Sequence, residues 1–235
     1  MQLQNFTPFL FASAYMFSAS SAFATAEGFE CHARMTVHGN PNIKKGDFSP
    51  AVEFAHIEFV SNMVGFGATG GRTQEITLAD SKLFLVKMNQ GELETRHKAD
   101  KVEGAVVLVA GTPKAWKTYG KADGVSSFDG LGFLLDGAVD DMGCDDSAHV
   151  PFRITAHANS VTWTVVNGPG KDEVVVTQDV PVTVVGIYSR SDKEHLHMVK
   201  GYNFHAHVVI PGQDVAGHIR ELDLRDGGTL YLPAQ

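Results

Sequence analysis

The sequence predicts a strand-dominated α+β domain, and three observations carry that expectation. Short Val- and Thr-rich runs recur along the chain, 24 glycines break them with turns, and only one segment reads as a helix. No internal repeat, heptad or low-complexity segment competes with this reading. A hydrophobic share of 43% against 20% charged residues supports a packed core and excludes global disorder. The length of 235 residues suits one domain or two closely packed ones. With 19 Lys and Arg against 27 Asp and Glu, the formal charge is -8. No basic patch stands out to neutralise phosphates, so nucleic acid is not expected as a partner.

Residues 1–24 read as a signal peptide. An apolar stretch around Phe9–Phe17 leads to small residues ending in Ala22-Phe23-Ala24, with cleavage expected after Ala24 or, alternatively, after Ala26. No charge precedes Glu27, and Ser, Thr and Pro8 break the stretch too often for a membrane span. The mature domain is then 25–235, expected in the periplasm or medium and without a span of its own. Its two cysteines are Cys31 and Cys144. In an oxidising compartment such a pair is more often a disulfide than a metal site, the alternative being two unpaired thiols.

Ala51–Ser61 fits neither the helical nor the strand period and stays open between the two. Gly65–Gly71 reads as a flexible turn between strands, since it lacks the Gly-Lys-Ser/Thr ending of a phosphate loop. Ile76–Leu78 and Lys82–Met88 read as paired strands around the turn Ala79-Asp80-Ser81. Val102–Ala110 is an apolar strand, and Ser126–Ala138 holds one short helix. Asp136, Asp140, Asp141, Asp145 and Asp146 lack calcium-loop spacing and read as a solvated acidic loop. Val150–Ile154, Ser160–Val166, Glu173–Thr177 and Val180–Ser189 are four further strands.

The chemistry concentrates near the C-terminus, where five of the eleven histidines fall between His195 and His218. His205 and His207 alternate, so in a strand both imidazoles face one way. The turn Pro211–Asp214 sends the chain back through Val215–Ile219, and a hairpin of that length brings His218 across to the pair. Three neutral imidazoles on a rigid sheet with an open fourth position are the shape of a catalytic zinc site, the alternative being an exposed strand that carries histidines or core imidazoles satisfied by backbone bonds. His195 and His197 sit in a charged stretch and read as exposed loop residues, or as partners that orient the ligands.

Metal cupins place a Glu shortly after such a His-x-His strand, but Ile210, Pro211 and Gly212 stand there. The segment Gly201-Tyr202-Asn203-Phe204-His205-Ala206-His207, followed by Gly217-His218 and Glu221, resembles the α-acetolactate decarboxylase family with a two-residue insertion after Tyr202. Upstream, Val184-Val185-Gly186-Ile187-Tyr188 occupies the place of the family's Val-Gly-Phe strand. Gly70-Gly71 leading into Glu75-Ile76-Thr77-Leu78-Ala79-Asp80, and Val150-Pro151-Phe152-Arg153-Ile154, are similar to two further family blocks in the same order.

This resemblance implies two β-sheet lobes flanking a metal cleft, with Zn2+ on His205, His207 and His218. It implies decarboxylation of 2-acetolactate to acetoin, Arg153 holding the carboxylate or steering the proton and Glu75 acting as acid/base. The family also carries a glutamate in a C-terminal extension, whereas no Glu follows Glu221 here. Two alternatives therefore stand: an exported, non-catalytic metal- or ligand-binding module, and a metal-dependent enzyme acting on another small hydroxy-keto acid. The expected partner is a small 2-hydroxy-3-oxo acid, with a homodimer left open.

Overall fold

The computed structural model describes residues 28–191 and 195–235. The signal-peptide reading of 1–24 and its cleavage sites lie outside these residues. In chain order the elements are β1 (Arg34–Gly39), β2 (Val52–Glu53), β3 (Val64–Thr69), β4 (Glu75–Ala79) and β5 (Lys82–Asn89). Then come β6 (Glu92–Arg96), β7 (Gly104–Thr112), β8 (Ala115–Lys121) and the helix α1 (Phe128–Asp141). The chain finishes with β9 (His149–Val166), β10 (Asp172–Ser189), β11 (Phe204–Ile210), β12 (Val215–Leu224) and β13 (Thr229–Ala234). No helix among the described residues is long and apolar enough to cross a membrane.

The strands form two antiparallel sheets. The first runs β1-β7-β3-β4-β5-β6, with β2 also on β7. The second runs β10-β11-β12-β9-β13-β8, and a further β10–β9 pairing closes its first four strands into a ring. The sheets meet through Phe66, Val107 and Val109 of the first and Val166 and Ile187 of the second. The strand-dominated α+β expectation is met, and the two sheets are the two lobes.

Two segments depart from their sequence reading for visible reasons. Gly65–Gly71 is mostly strand: β3 lies between β7 and β4, and only Gly70–Arg72 turns. A Cβ on Gly67 would sit 2.1 Å from the Val107 carbonyl oxygen, and one on Gly65 would sit 2.5 Å from that of Val109. These glycines let neighbouring backbone close in. The acidic segment is partly helix, because Leu131, Leu135, Ala138 and Val139 keep a helical period into the core and carry Asp136, Asp140 and Asp141 with them. Ser127 caps the start of that helix, its hydroxyl accepting from the Gly130 N–H at 3.0 Å.

Ala51–Ser61 is neither regular helix nor a full strand; only β2 and a 3-10 turn at Phe54–His56 form there. The four strands expected from Val150 to Ser189 fuse into two 18-residue strands, β9 and β10, paired along their lengths. The β4–β5 hairpin forms as expected, with Asp80 and Ser81 at φ 48° and 65° as a tight two-residue turn. Cys31 and Cys144 form a disulfide across 113 residues, with Cα atoms 5.5 Å apart.

Candidate metal centre

The period of β11 puts His205 and His207 on one face, and the hairpin register sets His218 directly opposite His207. That face looks onto the first sheet, where the Phe66 ring stacks on His205 at 3.7 Å between centroids. One nitrogen from each histidine lies within 4.8 Å of the others. His205 Nδ1 donates to the His197 carbonyl at 2.9 Å, which leaves Nε2 as an acceptor facing His218 Nδ1 at 2.6 Å. His207 Nδ1 meets the Thr77 hydroxyl at 2.7 Å.

Burial decides the protonation of this cluster. It pushes the His205 imidazole down to about 4, against the bond to the His197 carbonyl, which favours the charged form. His207 and His218 are driven well below the usual imidazole range, first by burial and then by their neighbouring imidazoles and Arg220. All three rings are therefore neutral, the form that ligates metals. Nε2 of His207 and Nε2 of His218 are buried with no hydrogen-bond partner. Buried lone pairs without donors are rare in proteins, and a cation shared by these rings would satisfy them. The three histidines are a set that could hold a metal ion.

Glu75 reaches the same place from the first sheet. Its Oε2 accepts from the Val166 N–H at 3.0 Å, and its Oε1 lies 3.6 Å from His207 Nε2. Burial pushes this carboxyl up to about 8, opposed by the Val166 bond, reinforced by Asp172, and opposed again by Arg72 and Arg220. Between the sheets lies a cavity of about 220 Å³, lined among others by Phe66, Val107, Glu75, His205 and His218. That is below the range of about 300–1,000 Å³ that takes drug-sized ligands, so it suits a small molecule.

The structure does not bring Arg153 to this cavity. Arg153 lies opposite Val185, which lies opposite His207, so two strand spacings of about 4.8 Å separate the backbones. Its guanidinium is held instead by Asp80 of the β4–β5 turn at 2.7 Å, over the rings of Trp116 and Tyr231. The cavity's guanidiniums are Arg72 and Arg220, with Asp172 between them. The sequence reading passed over all three, although the His218-x-Arg220 spacing was a signal for a shared face. His195 is exposed as expected, while half-buried His197 lines the cavity and holds His205.

No sequence-family model matches the chain, and no curated protein sequence does. Solved structures do match. A Staphylococcus aureus protein described as of unknown function and similar to alpha-acetolactate decarboxylase aligns at TM-score 0.64 and 13% identity, over 86% of this chain and 85% of that one. Acetolactate decarboxylase from Bacillus subtilis subspecies spizizenii aligns at TM-score 0.61 and 14% identity, over 80% of each chain. The enzyme from Bacillus subtilis strain 168 aligns at TM-score 0.61 and 13% identity over the same shares. The fold is that of acetolactate decarboxylase. Within this acetolactate decarboxylase-like fold, the second sheet supplies the histidines and the first supplies Glu75.

Proposed function

We propose that the chain is a zinc-dependent lyase that converts 2-acetolactate to acetoin and CO2. One observation carries this reading: three neutral imidazoles, two of them with an unpartnered buried nitrogen, converge beside a buried carboxyl in a small cavity. The shared fold supports it. Zinc, when bound, would polarise the substrate's hydroxyl and keto oxygens and stabilise the negative charge that develops as CO2 leaves.

The chain's own groups do the rest. The His197 carbonyl, an acceptor only, holds His205 as the Nδ1–H tautomer with its Nε2 lone pair inward, and the Thr77 hydroxyl can accept from His207 Nδ1 to give that ring the same form. Glu75 is pinned through Oε2 by Val166, which leaves Oε1 to hold a proton. After the carbon–carbon bond breaks, that proton passes from Oε1 to the enediolate carbon that carried the carboxylate, and Glu75 regains one from solvent. Phe66, Val106 and Val107 wall the cavity with apolar surface. Acetoin formed from racemic acetolactate by purified protein, abolished by a chelator and restored by zinc, is the expected result. Zinc bound without any acetoin would refute the reading.

A second reading, a metal-dependent enzyme acting on another small hydroxy-keto acid, is favoured by one observation. The guanidiniums at the cavity are Arg72 and Arg220 rather than Arg153.

A further inference from the structure

We propose that Arg72 and Arg220 form a carboxylate-binding pair at the mouth of the histidine cavity, with Asp172 as a counter-ion that an incoming carboxylate displaces. The inference rests on the preceding reading only in taking the cavity to bind a small acid.

Arg220 is delivered by a β-bulge. On β12, Ile219 pairs with Trp163 and Glu221 with Thr162, so Arg220 is the extra residue. Bulges re-aim side chains out of the ladder, and here the guanidinium swings over the cavity. Its Nε donates to the Thr164 hydroxyl at 3.2 Å, and Thr164 lies in register with His218. A second nitrogen donates to Asp172 Oδ2 at 2.9 Å. The arginine is thus anchored on the strand pair that carries one of the histidines.

Arg72 arrives from the other sheet and is held at a conformational cost. Its φ is 52°, in the left-handed region, which costs an ordinary residue about 1–2 kcal/mol. Such strain persists where the surroundings demand it, often at ligand clamps. Its Nε is buried without a partner, and its contact with Asp172 Oδ1 is long, at 3.5 Å. A guanidinium offers five N–H donors in a planar fork that matches a carboxylate. Arg72 holds donors in reserve.

The charge balance points the same way. Asp172 serves two guanidiniums, so the mouth keeps a surplus of positive charge on a chain of formal charge -8. A positive mouth on an acidic protein draws small anions toward it. The side chains of Arg72, Asp172 and Arg220 are 31%, 32% and 44% exposed, so exchanging that carboxylate for another is energetically mild.

The test uses zinc-loaded protein titrated calorimetrically with 2-hydroxy-2-methylpropanoate, a 2-hydroxy acid with no keto group to drive decarboxylation. The uncharged 2-methylpropane-1,2-diol is the comparison probe. Wild type should bind the acid at least about tenfold tighter than the diol, and R72Q and R220Q should each lose about tenfold or more of acid affinity. D172N should bind the acid about two- to fivefold tighter, because a competitor is gone. R153Q, or R153K if the glutamine variant does not fold, should bind as wild type. Equal affinity for acid and diol overturns the proposal, as does wild-type acid binding in folded, zinc-loaded R72Q and R220Q. Acetoin assays on the same samples separate the claims. No acetoin with an arginine-dependent acid affinity removes the decarboxylase and leaves the clamp. Acetoin with an unchanged KM in R72Q and R220Q removes the clamp and leaves the decarboxylase.

Discussion

Thr77→Val probes how the metal centre is held. Thr77 is buried on β4, with its hydroxyl 2.7 Å from His207 Nδ1. For Nε2 to offer a lone pair to a cation, Nδ1 must carry the proton and Thr77 must accept it. Valine keeps the shape and removes the acceptor, so the proton can settle on Nε2 and block the ligand position. Groups that orient metal-bound histidines are typically worth 10–100-fold in affinity, about 1.4–2.7 kcal/mol. The metal-free protein also strands one buried polar nitrogen, at about 1–3 kcal/mol, or about 2–4 °C of melting temperature per kcal/mol for a chain of this size. Zinc competition against a chromophoric chelator measures the first quantity, and thermal melts without zinc measure the second. T77V should lose one to two decades of zinc affinity, and T77S should recover most of it. A folded T77V with wild-type zinc affinity would refute the tautomer argument.

Glu75→Gln should retain zinc yet slow acetoin formation by about 10²–10⁴-fold, and wild-type turnover in that variant removes the acid/base role. Replacing Cys31 and Cys144 by serine opens a loop spanning 113 residues and should cost about 4–5 kcal/mol in the chain-entropy account; an unmoved urea midpoint contradicts this. Gly67→Ala drives a methyl to 2.1 Å from the Val107 carbonyl oxygen and should destabilise by about 1–3 kcal/mol or more, read from the melting temperature. The carboxyls of Asp145, Asp179 and Asp214 are held below their usual range, first by Ser147, His157 and Lys82 respectively. Folded values below unfolded ones mean that the stabilisation is present above about pH 4 and is lost as pH falls through the folded values. The urea midpoint should therefore drop between about pH 5 and pH 3, and a flat profile there would contradict the assignment.

What the sequence made legible was local. The period of two places His205 and His207 on one face, and Pro211–Asp214 makes the turn that returns His218 to them; both were readable and both formed. What stayed hidden depends on neighbours distant in sequence. Gly65 and Gly67 look like turn residues because the carbonyls that crowd them belong to β7, some forty positions on. The β9–β10 hairpin reads as four strands because Ala156–Asn159 and Gln178–Asp179 interrupt the apolar pattern, whereas pairing carries the ladder through. Arg153 sits in the local setting that the resemblance assigns to the site. Local setting does not reveal that Asp80 captures its guanidinium two strands away from His207.

The division of labour between the sheets follows from where pairing stops. β12 joins β9 from Thr164 onward toward Ala158, so Val166, two residues beyond, has no β12 partner on that edge. Its N–H is left free and takes the Glu75 carboxylate from the opposite sheet. That bond, together with Phe66 stacked on His205, sets the 3.6 Å between Glu75 Oε1 and His207 Nε2. The histidines take their register from their own hairpin and their ring orientation from His197 and Thr77, whereas the acid itself belongs to the opposite sheet and needs the two sheets to stay packed. Metal retention therefore depends on sheet packing through one orienting contact from Thr77, whereas proton delivery depends on it entirely. A Phe66→Ala change would leave the β11–β12 register intact and loosen the packing against His205. It should accordingly slow turnover more than it weakens zinc binding, whereas loss of zinc in proportion to turnover would show that the Phe66 packing holds the ligands as firmly as it holds the acid.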